Sequence, residues 1–257
     1  MTRPKRLLVL DIGNTSVTAG LYHNGRVTHV HRVAETRNRD LAASDRLLQL
    51  KNQYEFTDCI MCSVVPRLNA RWSKAVRAWT GRKPTLVTNK TPMPIGITFP
   101  KPDSIGADRL ANACGAYSRY GAPCIVIDLG TALTFDVVQA GDGYIGGVIA
   151  PGLPLMFDYM AEKTALLPHI KPTKLKRSIG KSTEEAMRIG ALLGYRGAVR
   201  EMLQEVKREM KVRRPHVVAT GGYAKWVIPE LDPRIPMDDD LTLLGLGAIF
   251  DYNGDVG

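Results

Sequence analysis

The sequence has no apolar run approaching the ~20 residues that a membrane-crossing helix needs. The only apolar stretch near its start, Leu7 to Leu10, ends at Asp11 and is too short for a signal peptide. The expected location is therefore the cytoplasm, with no membrane partner. Low-complexity segments and disordered linkers are also missing. Cysteine is scarce, with four residues: Cys59, Cys62, Cys114 and Cys124. Cys59 and Cys62 spell C-x-x-C, but "TDCIMCSVVP" reads as a buried strand, where residues three apart point to opposite faces. That spacing excludes a shared metal or disulfide and leaves buried reduced thiols. Acidic residues are fewer than basic ones, 25 against 35, giving a net charge of +10. Yet the densest basic runs, residues 171–177 and 207–215, lack the interleaved aromatics that stack on bases. The charge reads as a solvated surface with sites for anionic ligands rather than a nucleic-acid interface. The second run reads as the exposed end of a helix.

The chain of 257 residues suits one large domain or two small ones, long enough to bury roughly 70–75% of its unfolded surface. Periodicity predicts strands at 6–11, 16–22 and 26–33, with a hairpin turn at Asn24-Gly25. A helix around 40–52, a strand at 58–64, a helix around 67–79 and a strand at 85–88 follow. Residues 91–104 are proline-rich and read as an irregular crossover, and residues 105–120 as a helix capped by Ser104. The pattern then restarts, with strands at "CIVID", "LTFDVV" and "YIGGVIA", helices at about 152–162 and 182–211, a strand at "HVVATGG" and a last helix over 241–252. Each half reads as three strands followed by alternating helices and strands, which implies a mixed sheet covered by helices, twice over.

The two halves open alike. "LLVLDIGNTSVTAGLY" and "CIVIDLGTALTFDVVQ" align without a gap when Asp11 is set over Asp128, and Gly13 then falls on Gly130. A strand ending in Asp-x-Gly and a small polar residue suits phosphate. Glycine lets backbone N–H groups approach phosphate oxygens, and Asn14, Thr15 and Thr131 add side-chain donors. Aspartate acts on phosphate only through a cation or water. Magnesium, with few carboxylates and several waters or phosphate oxygens, suits Asp11. One such turn is commonplace in hairpins, whereas two in matching settings carry weight. A third glycine turn, "VVATGGYA", would let a nucleoside lie against the backbone at Gly221 and Gly222.

In "DSIGADRLANACGAY", Asp108 and Arg109 open a helix. A helix N-terminus and an adjacent arginine favour an ionised Asp108, able to take a proton from a hydroxyl. Arg109 could clamp a carboxylate bidentately. By spacing alone, a helix-capping or first-turn acid with Arg109 as its surface salt-bridge partner is the favoured reading of the two.

Together these motifs resemble a known family. "DIGNT" and "DLGTALT" resemble the phosphate loops of the acetate kinase, sugar kinase and actin superfamily. "GADR", "CSVVP" (62–66), "GGVIAPG" (146–152) and "ATGGYA" are similar to the type III pantothenate kinases, in order from residue 7 to about 250. The resemblance implies an α/β fold of duplicated actin-like (ribonuclease H-like) mixed-sheet halves, 1–104 and 105–257, with a cleft between them. It implies phosphorylation of pantothenate by ATP with magnesium, the first step of coenzyme A synthesis, in a homodimer. On it, Asp108 is the catalytic base. Phe99, Gly106, Ala107, Arg109 and Thr183 join Asp108 in binding substrate, with Thr183 supplied across the dimer interface. Asp11, Ile12, Gly13, Asn14, Thr15, Ser16, Val17, Thr18, Thr131, Gly221 and Gly222 bind ATP. Asp128 holds a monovalent cation, potassium or ammonium. The family often carries tyrosine seven residues before the glycine of "GADR"; here that residue is Phe99. Loss of one hydroxyl bond costs about 0.5–1.5 kcal/mol, enough to weaken binding without abolishing activity.

Two other readings stand beside this one: a kinase for another small hydroxyl compound, and a regulatory or transcription-accessory protein on the same fold. His169 and His216 show no ligand spacing and carry no assigned role.

Overall fold

A computed structural model describes residues 6–34 and 51–255. Two sheets organise them. In the first, β1 (Arg6–Ile12) pairs antiparallel with β2 (Ser16–His23), and β2 with β3 (Arg26–Ala34). On its other side β1 pairs parallel with β4 (Phe56–Ser63), which pairs parallel with the short β5 (Thr85–Leu86). The strand order is β3-β2-β1-β4-β5. The second sheet has β6 (Cys124–Leu129), β7 (Ala132–Gln139), β8 (Gly143–Pro151) and β9 (His216–Thr220), in the order β8-β7-β6-β9. The first three strands of each half thus line up in reverse and the fourth joins the first, which is the duplication expected from the paired motifs.

The helices are α1 (Pro66–Thr80), α2 (Ala107–Tyr120), α3 (Leu153–Lys163), α4 (Thr183–Met210), α5 (Ala224–Leu231) and α6 (Leu241–Asp255). The elements fall close to their predicted places. Asn24 and Gly25 both take positive φ, 47° and 73°, as a two-residue hairpin turn demands. The basic residues Lys207 and Arg208 do close α4, where they complement its dipole. All four cysteines are buried and none is in a disulfide. Helix α5 is an addition: it is only eight residues long and contains Pro229, too weak a pattern to read locally. Of the helix expected at 40–52, only residues 51 and 52 fall inside the described region, and both are helical.

The chain divides into two compact units. The first holds the residues up to Gly121, Gly141–Ile145 and those from Asp240 onward; the second holds Ala122–Ala140 and Gly146–Asp239. The division does not follow the 104/105 boundary of the sequence repeat, because α2 packs on α6 and β4 and so joins the first unit.

In the first unit the sheet is covered on both faces, which is why β1 reads "LLVL" without alternation. Leu8, Leu10 and Ile12 face a cluster completed by Leu68, Trp72 and Val76 of α1. That helix starts on Pro66 and stops at Gly81, whose left-handed φ of 76° lets its N–H reach the Arg77 carbonyl at 2.9 Å. The opposite face carries Leu7, Val9 and Asp11. There Gly20, the register partner of Val9, lies under α6: a Cβ at Gly20 would stand 3.1 Å from Leu243 Cδ1. Helices α2 and α6 cross closely, since a Cβ on Gly115 would come 3.1 Å from the Gly245 nitrogen. Buried Asn112 is satisfied at this crossing by Thr242 Oγ1 at 2.6 Å.

In the second unit β6 is the buried centre, pairing antiparallel with β7 and parallel with β9. Helix α4 begins at Ser182, whose Oγ accepts from the Glu185 N–H at 3.2 Å. It lays Leu192, Tyr195, Val199 and Leu203 inward and ties α5 through Arg196, which donates to the Trp226 carbonyl at 2.9 and 3.1 Å.

Candidate active site

Asp11 is the penultimate residue of β1, on the sheet face that α6 covers. Its register partner on β4 is Cys62, so the two side chains project together. The Cys62 thiol donates to Asp11 Oδ1 at 3.3 Å. Burial pushes the Cys62 thiol well up, and the charges of Asp11 and Asp108 add to the rise, so sulfur stays a neutral donor. The turn after Asp11 is closed by Gly13 N–H on the Ser16 carbonyl at 3.0 Å, leaving Asn14 and Thr15 exposed. Of the other residues expected to bind ATP, Ile12 and Val17 are buried in the core cluster. Thr18 is also buried, and its Oγ1 accepts from Arg32 Nε at 3.2 Å.

Asp108 lies in the first turn of α2 and is half-buried. Ser104 does not cap this helix. It closes a 3-10 turn over Pro102–Ser104, its Oγ donating to the Lys101 carbonyl at 2.8 Å, and Gly106 takes the cap position. The reason for glycine there is steric: a Cβ on Gly106 would stand 2.5 Å from Asp108 Oδ1. That oxygen accepts the Arg109 N–H at 2.8 Å. Dipole and arginine alone predict a carboxylate held ionised. Burial, which local sequence does not reveal, is the larger influence and raises the Asp108 carboxyl above its ordinary value; the Arg109 N–H bond and guanidinium charge oppose this without cancelling it.

Phe99 and Tyr144 complete this region. Their rings meet edge to face, with centroids 6.3 Å apart. The Arg109 guanidinium carbon stands 5.9 Å from the Tyr144 ring centroid, within cation–π range. Sequence reasoning assigned no role to Cys62 or Tyr144. The signal for Cys62 was its place in a strand parallel to β1, but register with Asp11 is a tertiary fact. Tyr144 carried no local signal.

In the second unit Asp128 ends β6 beside Thr220 of β9. Two glycines crowd its carboxylate. A Cβ on Gly221 would lie 2.5 Å from Asp128 Oδ1 and 2.6 Å from the Leu129 carbonyl oxygen; one on Gly130 would lie 3.4 Å from Oδ1. Gly221 also has φ 92°. Its open side is therefore spent on Asp128 and Leu129. Gly222 beside it is exposed. The Thr131 carbonyl accepts the Gly152 N–H at 3.1 Å, and a Cβ on Gly152 would collide with the Thr131 and Gly130 carbonyls, which explains the last glycine of "GGVIAPG". Thr183 is exposed at the start of α4.

The ungapped alignment of the two turns ends at the glycine. Asp11 pairs with Thr18, but Asp128 pairs with Thr134, so the first turn is one residue longer. Among the described residues no cluster of three or more His, Cys, Asp or Glu could hold a metal alone. A lone carboxylate such as Asp11 fits a magnesium ion whose other ligands are phosphate oxygens and water.

A repeated sheet with a glycine turn behind a strand-end aspartate in each copy defines the class: an α/β phosphotransferase with the actin-like fold. One structural neighbour is a candidate N-acetylmannosamine kinase from Listeria monocytogenes, with a TM-score of 0.57 over 98% of this chain and 100% of that one; at 11% identity it speaks for the fold alone. The family model for type III pantothenate kinase matches residues 7–205. The type III pantothenate kinase of Akkermansia muciniphila is 44% identical over 204 residues, 79% of this chain and 82% of that protein. The one from Methylacidiphilum infernorum is 38% identical over 244 residues, 95% of this chain and 87% of that protein. The chain belongs to the type III pantothenate kinase family.

Proposed function

We infer that this chain transfers the γ-phosphoryl group of ATP to the primary hydroxyl of pantothenate, the first step of coenzyme A biosynthesis. The observation that carries the reading is Asp108. It is a half-buried carboxyl at the start of a family-matched helix, with one oxygen tied to a backbone N–H. Asp108 orients the attacking hydroxyl and accepts its proton, and a raised carboxyl is better matched to that task than an ordinary one. Arg109 pairs with the pantothenate carboxylate. Gly106, Ala107 and Phe99 line the acceptor, and Phe99 supplies ring contact without a hydroxyl.

Asp11 would hold the magnesium that accompanies ATP, and that ion would supply charge neutralisation at the phosphates. The turn from Gly13 to Ser16 offers backbone and side-chain donors to phosphate oxygens, and Thr131 offers a donor in the corresponding turn of the second unit. Thr18 and the side chains of Ile12 and Val17 serve the turn itself. Asp128 holds potassium or ammonium: its carboxylate, in a cradle of two glycines beside the Leu129 carbonyl, offers the oxygens a large cation takes. Gly221 lets the chain pass close against the Asp128 carboxylate and the Leu129 carbonyl, and Gly222 continues the turn toward the nucleoside. Positioning and charge neutralisation supply most of the rate, as in-line phosphoryl transfer requires. Thr183 contacts the substrate of the partner in a homodimer, and the enzyme works in the cytoplasm. Residues 1–104 are read as the N-terminal actin-like half and 105–257 as the C-terminal one.

The test is ADP release from purified protein with ATP, magnesium and pantothenate, in potassium and in sodium. Pantothenate-dependent turnover that requires potassium is expected. Asp108→Asn should lower turnover by about 10²–10⁴ with the fold intact. Turnover near that of the unaltered enzyme in this variant removes Asp108 as the base. No pantothenate-dependent turnover in either salt, from a folded protein, moves the reading to another hydroxyl substrate.

A further inference from the structure

Tyr144 belongs by sequence to the second sheet but by packing to the first unit. Residues Gly141–Ile145 are the segment of the second half that leaves it. Their attachment is specific. The Tyr144 N–H donates to the Gly96 carbonyl at 2.8 Å, and the Thr98 N–H donates to the Tyr144 carbonyl at 3.1 Å. Gly143 has φ 74°, and a Cβ there would collide with the Gly96 carbonyl, so glycine is needed for the approach. This anchoring buries the Tyr144 ring to 1% exposure between two groups of the acceptor region. The Phe99 ring meets it edge to face, and the Arg109 guanidinium stands over it.

We propose that Tyr144 is a positioning residue for the acceptor: its ring face holds Arg109 in the rotamer that meets the substrate carboxylate, and its edge seats Phe99. The proposal rests on the reading of Arg109 as the carboxylate clamp. An arginine side chain has several rotatable bonds, and ordering it on binding costs affinity. A ring that pre-orders the guanidinium removes part of that cost. A cation–π contact uses the face of the guanidinium, so it does not compete with the in-plane fork that meets a carboxylate. The site is thereby selective for an acceptor that carries both a hydroxyl for Asp108 and a carboxylate for Arg109.

The experiment compares the full-length enzyme with Tyr144→Leu and Tyr144→Phe. Loss of the ring should raise KM for pantothenate roughly two- to thirtyfold, the span of a cation–π contact, with kcat and KM for ATP within about twofold of the unaltered enzyme. Tyr144→Phe keeps the ring face and should restore KM. An unchanged pantothenate KM in Tyr144→Leu overturns the proposal. So does an equal fall in kcat and rise in both KM values with a lowered melting temperature, since that is structural damage. NMR of the unaltered protein is a second test that needs neither turnover nor a folded variant. The Arg109 side-chain resonances should carry a ring-current shift, and resonances at random-coil positions overturn the proposal. If the ring-current shift is present but pantothenate is not phosphorylated, the Tyr144–Arg109 contact stands and the substrate assignment falls.

Discussion

The Asp11 turn and the Asp128 turn start from the same residues and are finished by different neighbours. Asp11 leans on a thiol, Cys62, contributed by the adjacent parallel strand. Asp128 leans on the missing side chain of Gly221, contributed by the equivalent strand β9. The first turn is a residue longer and exposes Asn14 and Thr15; the second is shorter, braced through Thr131 by Gly152. The lesson is that a repeated motif fixes where a carboxylate sits on a strand end, while the neighbouring strand decides what the carboxylate can hold. A thiol donor meets Asp11 Oδ1 at 3.3 Å, whereas Asp128 Oδ1 is met by the backbone of two glycine turns.

The comparison can be broken by four measurements. The largest effect is expected from the aspartates themselves. Asp11→Asn and Asp128→Asn should each lower kcat by about 10²–10³, the usual loss for one preorganised charge partner. Asp11→Asn should raise the magnesium concentration needed for half-maximal rate, whereas Asp128→Asn should erase the preference for potassium over sodium. Interchanged phenotypes would reverse the assignments.

Next come the glycines. Gly221→Ala places a Cβ against Asp128 and Leu129 in a left-handed backbone, and should cost at least about 1–3 kcal/mol of stability. Gly13→Ala meets only the Ser16 carbonyl, at 3.2 Å, without positive φ, and should cost less than about 1 kcal/mol. Urea unfolding of the two variants measures the difference; equal losses would mean that the turns are equally constrained.

A pH series examines Asp108. Its carboxyl is raised by burial, so its contribution to stability is fully present below the ordinary aspartate value and is lost as pH rises through the raised one. Asp108→Asn should therefore melt higher than the unaltered enzyme at neutral pH, and that advantage should vanish in acid below the ordinary aspartate range. A melting difference independent of pH would mean that desolvation is not the dominant influence on this carboxyl.

The smallest effect concerns Cys62. Cys62→Ser keeps a donor to Asp11, and Cys62→Ala removes it, leaving a loss of about 0.5–1.5 kcal/mol. The alanine variant should bind magnesium-ATP several-fold more weakly by calorimetry, and the serine variant should stay close to the unaltered protein. Identical affinities in both would leave Cys62 as packing alone.

Much of the fold was legible because its cues are local. The apolar runs of β1 and β6, the Asn24-Gly25 turn, Pro66 at the start of α1 and the charge bias along α4 each act within a few residues. The Ser104 cap failed because a 3-10 turn intervened, and α5 was passed over because Pro229 breaks its pattern. Asp108 was legible as a first-turn acid, but its raised carboxyl was not, since burial depends on what the rest of the chain brings over it.

By itself the sequence determined the strand-end positions of Asp11 and Asp128, the glycine turns behind them and the pairing of Asp108 with Arg109, because backbone conformation and side-chain spacing are properties of neighbours along the chain. Only the tertiary structure decided that Cys62 donates to Asp11, that Gly221 makes room for Asp128 and that Tyr144 crosses to meet Arg109 and Phe99. Those contacts depend on strand register and on the close approach of distant backbone, and both are set by how the whole core packs.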